Sequence, residues 1–388
     1  MRPRLLRRVA DLAEDIASVS RFVHSHPEEG FRERACSEFL RAALANQGFR
    51  VERPLPRLPT AFRAWRRGRR AGPAVAFIAE YDALPGIGHG CGHNLIAASA
   101  FGAAAALAPF VEATGGSVWV FGTPAEEYGS GKIPMLKAGL FSRIDAVLMT
   151  HPETFWLVNT AGLALDALRF EFRGRSSHAA ATPWAGRNAL DAVIGLFNAV
   201  SALRQQLRPD VRIHGIITEG GKAPNVIPDF TAAEFYVRAP RRRELDRVTA
   251  RVKDCARAAA LAAGCTVRVS ASEPPVDDIV NNPVLSGVVE RQLRSLGVRD
   301  LAAADPVPGS ADIGNVSHRV PTAYFYCPVG PRSLDLHTKE FARRAASEEA
   351  HRGLLEGVKV LALSGLELLR KPALAKAARR ALRRASLT

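Results

Sequence analysis

Hydrophobic and polar positions along the chain fall into two regimes that meet near residue 162. In the first regime, helical periodicities alternate with short, unbroken apolar runs. Leu5 to Val23 and Ala35 to Ala45 place apolar residues three or four apart, the spacing of helices with one buried face, and Leu95 to Leu107 reads as a helix of small residues. Ala74 to Ala79, Ser117 to Gly122 and Ala146 to Thr150 are continuous apolar runs, as strands covered on both faces require. In the second regime the strand signal changes character. Ala164 to Arg173 alternates like a strand with one wet face, and Arg212 to Thr218, Thr231 to Arg238 and Thr266 to Ser270 read as further strands. Helices are predicted between them, over Asn188 to Leu207 and Glu244 to Ala263. Signals of the first kind resume after Pro274 and Pro275: a helix from Pro283, a buried strand at Thr322 to Tyr326 and a closing helix over Ala346 to Leu369.

This order predicts the α/β class: a mixed-sheet domain with helices on both faces, built from residues 1–162 and 276–388. Residues 163–275 form an inserted α+β sandwich with the strand-helix-strand-strand-helix-strand order of ferredoxin-like units.

Composition adds bounds. With 388 residues, 47% of them hydrophobic, the chain can bury one large core or two modest ones. No unbroken apolar run is long enough for a membrane span, Ala97 to Ala108 included. The basic N-terminus leads into Asp11, Glu14 and Asp15, not into an apolar signal core, so a cytoplasmic address is expected. Five cysteines at 36, 91, 255, 265 and 327 lack framework spacing, which fits a reducing compartment. The net charge of +15 comes from scattered bases without interleaved aromatics, so no nucleic-acid partner is expected. The densest basic block, Lys371, Lys376, Arg379, Arg380, Arg383 and Arg384, is expected to be a solvated tail, with a surface-binding amphipathic helix as the alternative.

Candidate chemistry is concentrated in four places. In His89-Gly-Cys91-Gly-His93, glycines let the backbone bend so that Cys91 and His93 converge on one ion. Glu126 and Glu127 leave the buried strand at Ser117 to Gly122 as adjacent carboxylates, an arrangement that cations would stabilise. It permits a division of labour, with Glu127 binding an ion and Glu126 free to accept a proton from water. His151 ends the run at Ala146 to Thr150, and His337 lies in LDLHTKEF.

The strings EYDALPGIGHGCGHNLIAA, FGTPAEE, MTHPE, FRGRSSHAAATPWAGRNALDAV, HGIITEGGKAPNVIPD, FYVRAP, GSADIGNVS and LHTKEF resemble the dinuclear-metal aminoacylase and carboxypeptidase superfamily. The similarity is to its cysteine-containing amidohydrolase branch, which includes p-aminobenzoyl-glutamate hydrolases, auxin-conjugate amidohydrolases and Xaa-Arg or β-alanyl-lysine dipeptidases.

The resemblance implies a metal-dependent hydrolase that cleaves the amide of an N-acyl amino acid or dipeptide-like substrate bearing a carboxylate. Two divalent ions are implied, zinc or manganese first, cobalt or nickel also admissible. Cys91 would bridge them, His93, Glu127, His151 and His337 would be terminal ligands, Asp82 would steady the ligands, and Glu126 would be the general base. The inserted domain would be a dimerisation and lid domain, with His178 reaching the site of a second subunit in a homodimer, and Asn225 and Arg238 holding the substrate carboxylate. Two positions depart from the pattern: Tyr128, where a glycine is common, and Glu153, where a small residue is usual, leaving substrate choice open. The competing readings are a related deaminase or deacylase, a catalytically silent binding homologue, and a surface-binding basic protein.

Overall fold

A computed structural model describes residues 1–305 and 309–385; residues 306–308 and 386–388 of the expected 276–388 segment lie outside that description. The chain divides into two compact units, Met1–Ala161 with Ile279–Thr388, and Gly162–Asp278.

The first unit holds a six-stranded sheet made of β1 (Arg50–Glu52), β2 (Phe62–Arg67), β3 (Ala74–Ala79), β4 (Ser117–Gly122), β5 (Ala146–Glu153) and, late in the chain, β10 (Thr322–Pro328). Their order is β1-β2-β4-β3-β5-β10. β4, β3, β5 and β10 run parallel, while β2 joins β4, and β1 joins β2, antiparallel. Alternate residues of the parallel strands feed two cores, one on each face. Val75, Phe77, Val118, Val120, Leu148 and Phe325 enter the larger, while Ala76, Ile78, Trp119, Phe121, Val147, Met149 and Tyr324 enter the smaller. Unbroken apolar runs are the sequence form of this two-sided burial.

The helix His93–Leu107 is buried along its whole length, which explains its Ala and Gly content: small side chains let neighbouring elements approach closely. With its continuation to Thr114 it is apolar and long enough to cross a membrane, but 94% of its most apolar window is buried inside the fold, as befits a central core helix.

The second unit is a four-stranded antiparallel sheet in the order β7-β8-β6-β9, with β6 at Ala164–Arg173, β7 at Arg212–Glu219, β8 at Phe230–Ala239 and β9 at Thr266–Ala271. Phe170, Phe172, Phe235 and Val237 pack with helices Ala189–Arg204 and Arg242–Ala262. On the opposite side of the pleat, Arg169 pairs with Glu234 at 3.0 Å, a polar face as the alternation predicts.

Two expectations need correction. The single helix read over Leu5 to Val23 is two, Arg2–Asp11 and Ala13–Ser25, joined at Leu12. The basic tail is not a solvated extension: Pro372–Ala385 is a helix whose Ala375, Ala378 and Leu382 are buried. Asn282 Nδ2 donates to the Ala378 carbonyl at 2.8 Å, and Arg379 donates to the Ile144 carbonyl at 2.8 Å. Its apolar stripe is consumed by this packing, which removes the basis for a surface-binding role.

Candidate metal centre

Because β4, β3, β5 and β10 are parallel, their C-terminal ends open along one edge, where α/β sheets gather functional side chains. Glu80 and Asp82 follow β3, Glu126 and Glu127 follow β4, His151 lies near the end of β5, and His337 lies in the segment beyond β10. Cys91 and His93 come from the loop after Asp82, with His93 opening the core helix. Between them Gly92 has φ 73°, and an added Cβ would come within 2.5 Å of Pro152 Cγ, so glycine is required on two counts. Ala125 (φ 55°) and His337 (φ 61°) are non-glycine residues in the left-handed region, strained backbone at the two points where the chain delivers Glu126 and the His337 ring.

Ligand-type atoms converge there in three groups, each with its atoms within 4.8 Å of one another: Cys91, His93 and His151; Cys91, Glu127 and His337; and Glu80, His93 and Glu126. The first two share the Cys91 sulfur, an arrangement suited to a bridge between two ions. Cys91 Sγ is 3.4 Å from His151 Nε2, and His337 Nε2 is 3.8 Å from Glu127 Oε2.

Both buried imidazoles are oriented from behind. His93 Nδ1 donates to Asp82 Oδ1 at 2.9 Å and to the Asp82 carbonyl at 3.0 Å, while His151 Nδ1 donates to the Pro152 carbonyl at 2.8 Å. In each ring Nε2 is thus the nitrogen left for a metal ion. His93 Nε2 and Glu127 Oε1 are buried with no hydrogen-bond partner among the described residues. A cation is the partner such atoms suit, since leaving them bare is costly. The Asp82 carboxylate also accepts the Glu127 N–H at 3.0 Å and so sets two ligands at once. Asp82→Ala is expected to weaken divalent-metal affinity by about 10- to 100-fold. Competition against a chromogenic chelator checks this, and unchanged affinity would contradict it.

Electrostatics separate the two rings: against the effect of burial, Asp82 holds His93 well above the usual imidazole range, so an ion bound there takes the place of its Nε2 proton. Burial, then the charge on His93, pushes His151 down to about 3, so the ring is neutral and able to ligate. Burial and then Glu127 push the Cys91 thiol well up, so a thiolate there needs cations beside it. Burial, followed by Glu80, Glu127 and Asp312, holds the Glu126 carboxyl well above the usual carboxylate range.

The structure separates residues that look alike in sequence. His89 is buried with Nε2 against the Val23 carbonyl at 2.8 Å and belongs to none of the three groups. Sequence reasoning missed Glu80, Lys132 and Asp312, which are buried beside Glu126, Glu80 lying also 3.5 Å from His93 Nε2. Glu80 had a signal, since it directly follows a buried strand. Asp312 lies in GSADIGNVS, but nothing in the spacing of Asp312 or Lys132 ties either to the centre. Tyr128 is 52% exposed and does not fill the centre. Glu153 accepts the Thr154 N–H at 2.8 Å.

The remaining predicted residues lie in the second unit. His178 is exposed, and its Nδ1 accepts the N–H groups of Ala180 and Ala181 at 3.2 and 3.1 Å. That bonding places the ring proton on Nε2. Asn225 is exposed on the neighbouring segment, where its carbonyl accepts the Ala179 N–H at 3.0 Å. Arg238 is half-buried on β8 with its guanidinium 5.7 Å from the Tyr236 ring centre.

Comparisons with known proteins agree with this architecture. The chain is 39% identical to the Xaa-Arg dipeptidase of Mus musculus over 98% of its own length and 91% of that protein's. It is 30% identical to a p-aminobenzoyl-glutamate hydrolase subunit of Escherichia coli (strain K12), over 93% and 89% of the two lengths. The fold also matches the Bacillus subtilis YXEP protein, described as a dinuclear metal binding peptidase, with a TM-score of 0.69, 22% identity and coverage of 92% and 99%. Residues 76–362, which run from β3 through the inserted unit to the closing helix, match a single family throughout. A parallel-sheet edge carrying Cys, His and Glu ligand atoms therefore has a family to which it belongs: the chain is a member of peptidase family M20/M25/M40, a hydrolase of C–N bonds.

Proposed function

We propose that the protein hydrolyses the amide bond of a dipeptide or N-acyl amino acid carrying a free carboxylate, using two divalent ions, zinc or manganese, held by Cys91, His93, Glu127, His151 and His337. The observation that carries this reading is the pair of ligand groups sharing one sulfur, with Glu126 beside them but outside both. Such a pair of cations supplies charge and Lewis acidity, which acidify a water and polarise the scissile carbonyl. Glu126 takes the proton from that water and returns it to the departing amine, a task its raised proton affinity suits.

His178 offers an exposed Nε2–H to the developing oxyanion, in this reading at the site of a second copy. The Arg238 guanidinium and the Asn225 amide hold the substrate carboxylate. A homodimer through the inserted unit is supported by Ile216 and Ile217, which lie exposed on the edge strand β7, 64% and 41% accessible. All five cysteines are free thiols, in keeping with a cytoplasmic location.

Both the mouse dipeptidase and the Escherichia coli hydrolase carry names that describe amides of α-amino acids, which supports this substrate class. Metal-replete protein should release free amino acid from Xaa-Arg dipeptides, N-acetyl amino acids or p-aminobenzoyl-glutamate, read by product mass. It should release far less from the same compounds with the carboxylate amidated. Equal rates on acid and amide forms, or no hydrolysis of any of them, would overturn the assignment.

A further inference from the structure

Of the three ligand-type groups, the third is at odds with the other two. Glu80, His93 and Glu126 could hold an ion by themselves, yet His93 has one free Nε2, and Glu126 has to stay unligated to act as a base. An ion settling there would take His93 from the Cys91 group and Glu126 from its task. Glu80 Oε2 is well placed to recruit one, at 3.5 Å from His93 Nε2 and without a hydrogen-bond partner among the described residues.

What distinguishes this third group is a buried ammonium. Lys132 Nζ lies 2.6 Å from Glu80 Oε1 and 2.5 Å from Asp312 Oδ1, and all three side chains are essentially inaccessible. Asp312 also accepts the Lys132 backbone N–H through Oδ2 at 2.9 Å, so the cation is fixed by both ends of its own residue. Placing a lysine here means stripping its water shell, which only well-placed carboxylates offset. The same charge repels a second cation at the neighbouring Glu80 position, undiminished by solvent.

We propose that Lys132, anchored by Asp312, is a positioning residue that keeps Glu80 out of the metal-binding set, so that ions settle at the two Cys91 groups and Glu126 stays free. This rests on the metal-centre reading above. It assigns Glu80 to the lysine and not to a metal.

Cobalt(II) substitution of the full chain reads the difference directly, because a thiolate-to-cobalt charge-transfer band reports Cys91 ligation and the visible bands report coordination geometry. Wild type and Glu80→Gln should bind equal cobalt with equal charge-transfer intensity. Lys132→Met should keep cobalt but lose charge-transfer intensity as an ion moves toward Glu80 and Glu126, and Lys132→Met combined with Glu80→Gln should restore it. Unchanged intensity in Lys132→Met would overturn the proposal. So would loss of cobalt in Glu80→Gln, an arm that decides the question even if the lysine variant does not fold. Wild type that binds no cobalt would instead sink the metal-centre reading itself, a distinct outcome.

Discussion

Glu126→Gln is expected to lower turnover by about 100- to 10,000-fold, the usual contribution of a positioned general base, while bound metal is unchanged. The reason lies in the grouping of atoms. Glu126 belongs to neither of the groups that share Cys91, so replacing one of its oxygens by an amide removes proton transfer without removing a ligand. The substitution is nearly isosteric, and the site is already crowded with the negative charges of Glu80, Glu127 and Asp312, so folding should tolerate it. Steady-state kinetics on a confirmed substrate, paired with elemental analysis of the same sample, checks both halves. Near-normal turnover would remove Glu126 from the mechanism, and loss of metal would make it a ligand.

Cys91→Ala should be the most damaging ligand substitution. Of the two groups that share Cys91, His93 and His151 serve only the first and His337 only the second, whereas Cys91 lies in both. His151→Ala and His337→Ala are therefore expected to impair one ion each, and Cys91→Ala both, with activity falling to background. Cys91→Asp should recover part of the lost metal, because a carboxylate can bridge two cations through its two oxygens. Metal-to-protein ratios after dialysis against a weak chelator separate these cases. A Cys91→Ala protein that keeps both ions would show that the sulfur is a bystander.

How much of this was legible in sequence depended on how far each feature is local. The parallel strands were readable because double-sided burial leaves unbroken apolar runs such as AVAFIA at β3 and SVWVFG at β4. The edge strand β1 and its antiparallel neighbour β2 were not, since RVE is short and the arginines of FRAWRR interrupt the apolar run by which a central strand is read. Helical periodicity in the tail was visible, but what its stripe of Ala375, Ala378 and Leu382 packs against is a tertiary fact. His89 and His93 sit in one glycine-rich string, and only the fold sends one ring to the Val23 carbonyl and the other to Asp82. The Lys132 network was least legible of all. Its members come from three distant segments, and each charged side chain taken singly looks like a solvated one.

The centre's nature is tested most directly by crystals of metal-replete protein, with anomalous diffraction recorded on either side of the metal's absorption edge. Two peaks are predicted, one bounded by His93 and His151, the other by Glu127 and His337, with the Cys91 sulfur between them. A single peak, peaks remote from that sulfur, or none in protein that hydrolyses its substrate would contradict the account.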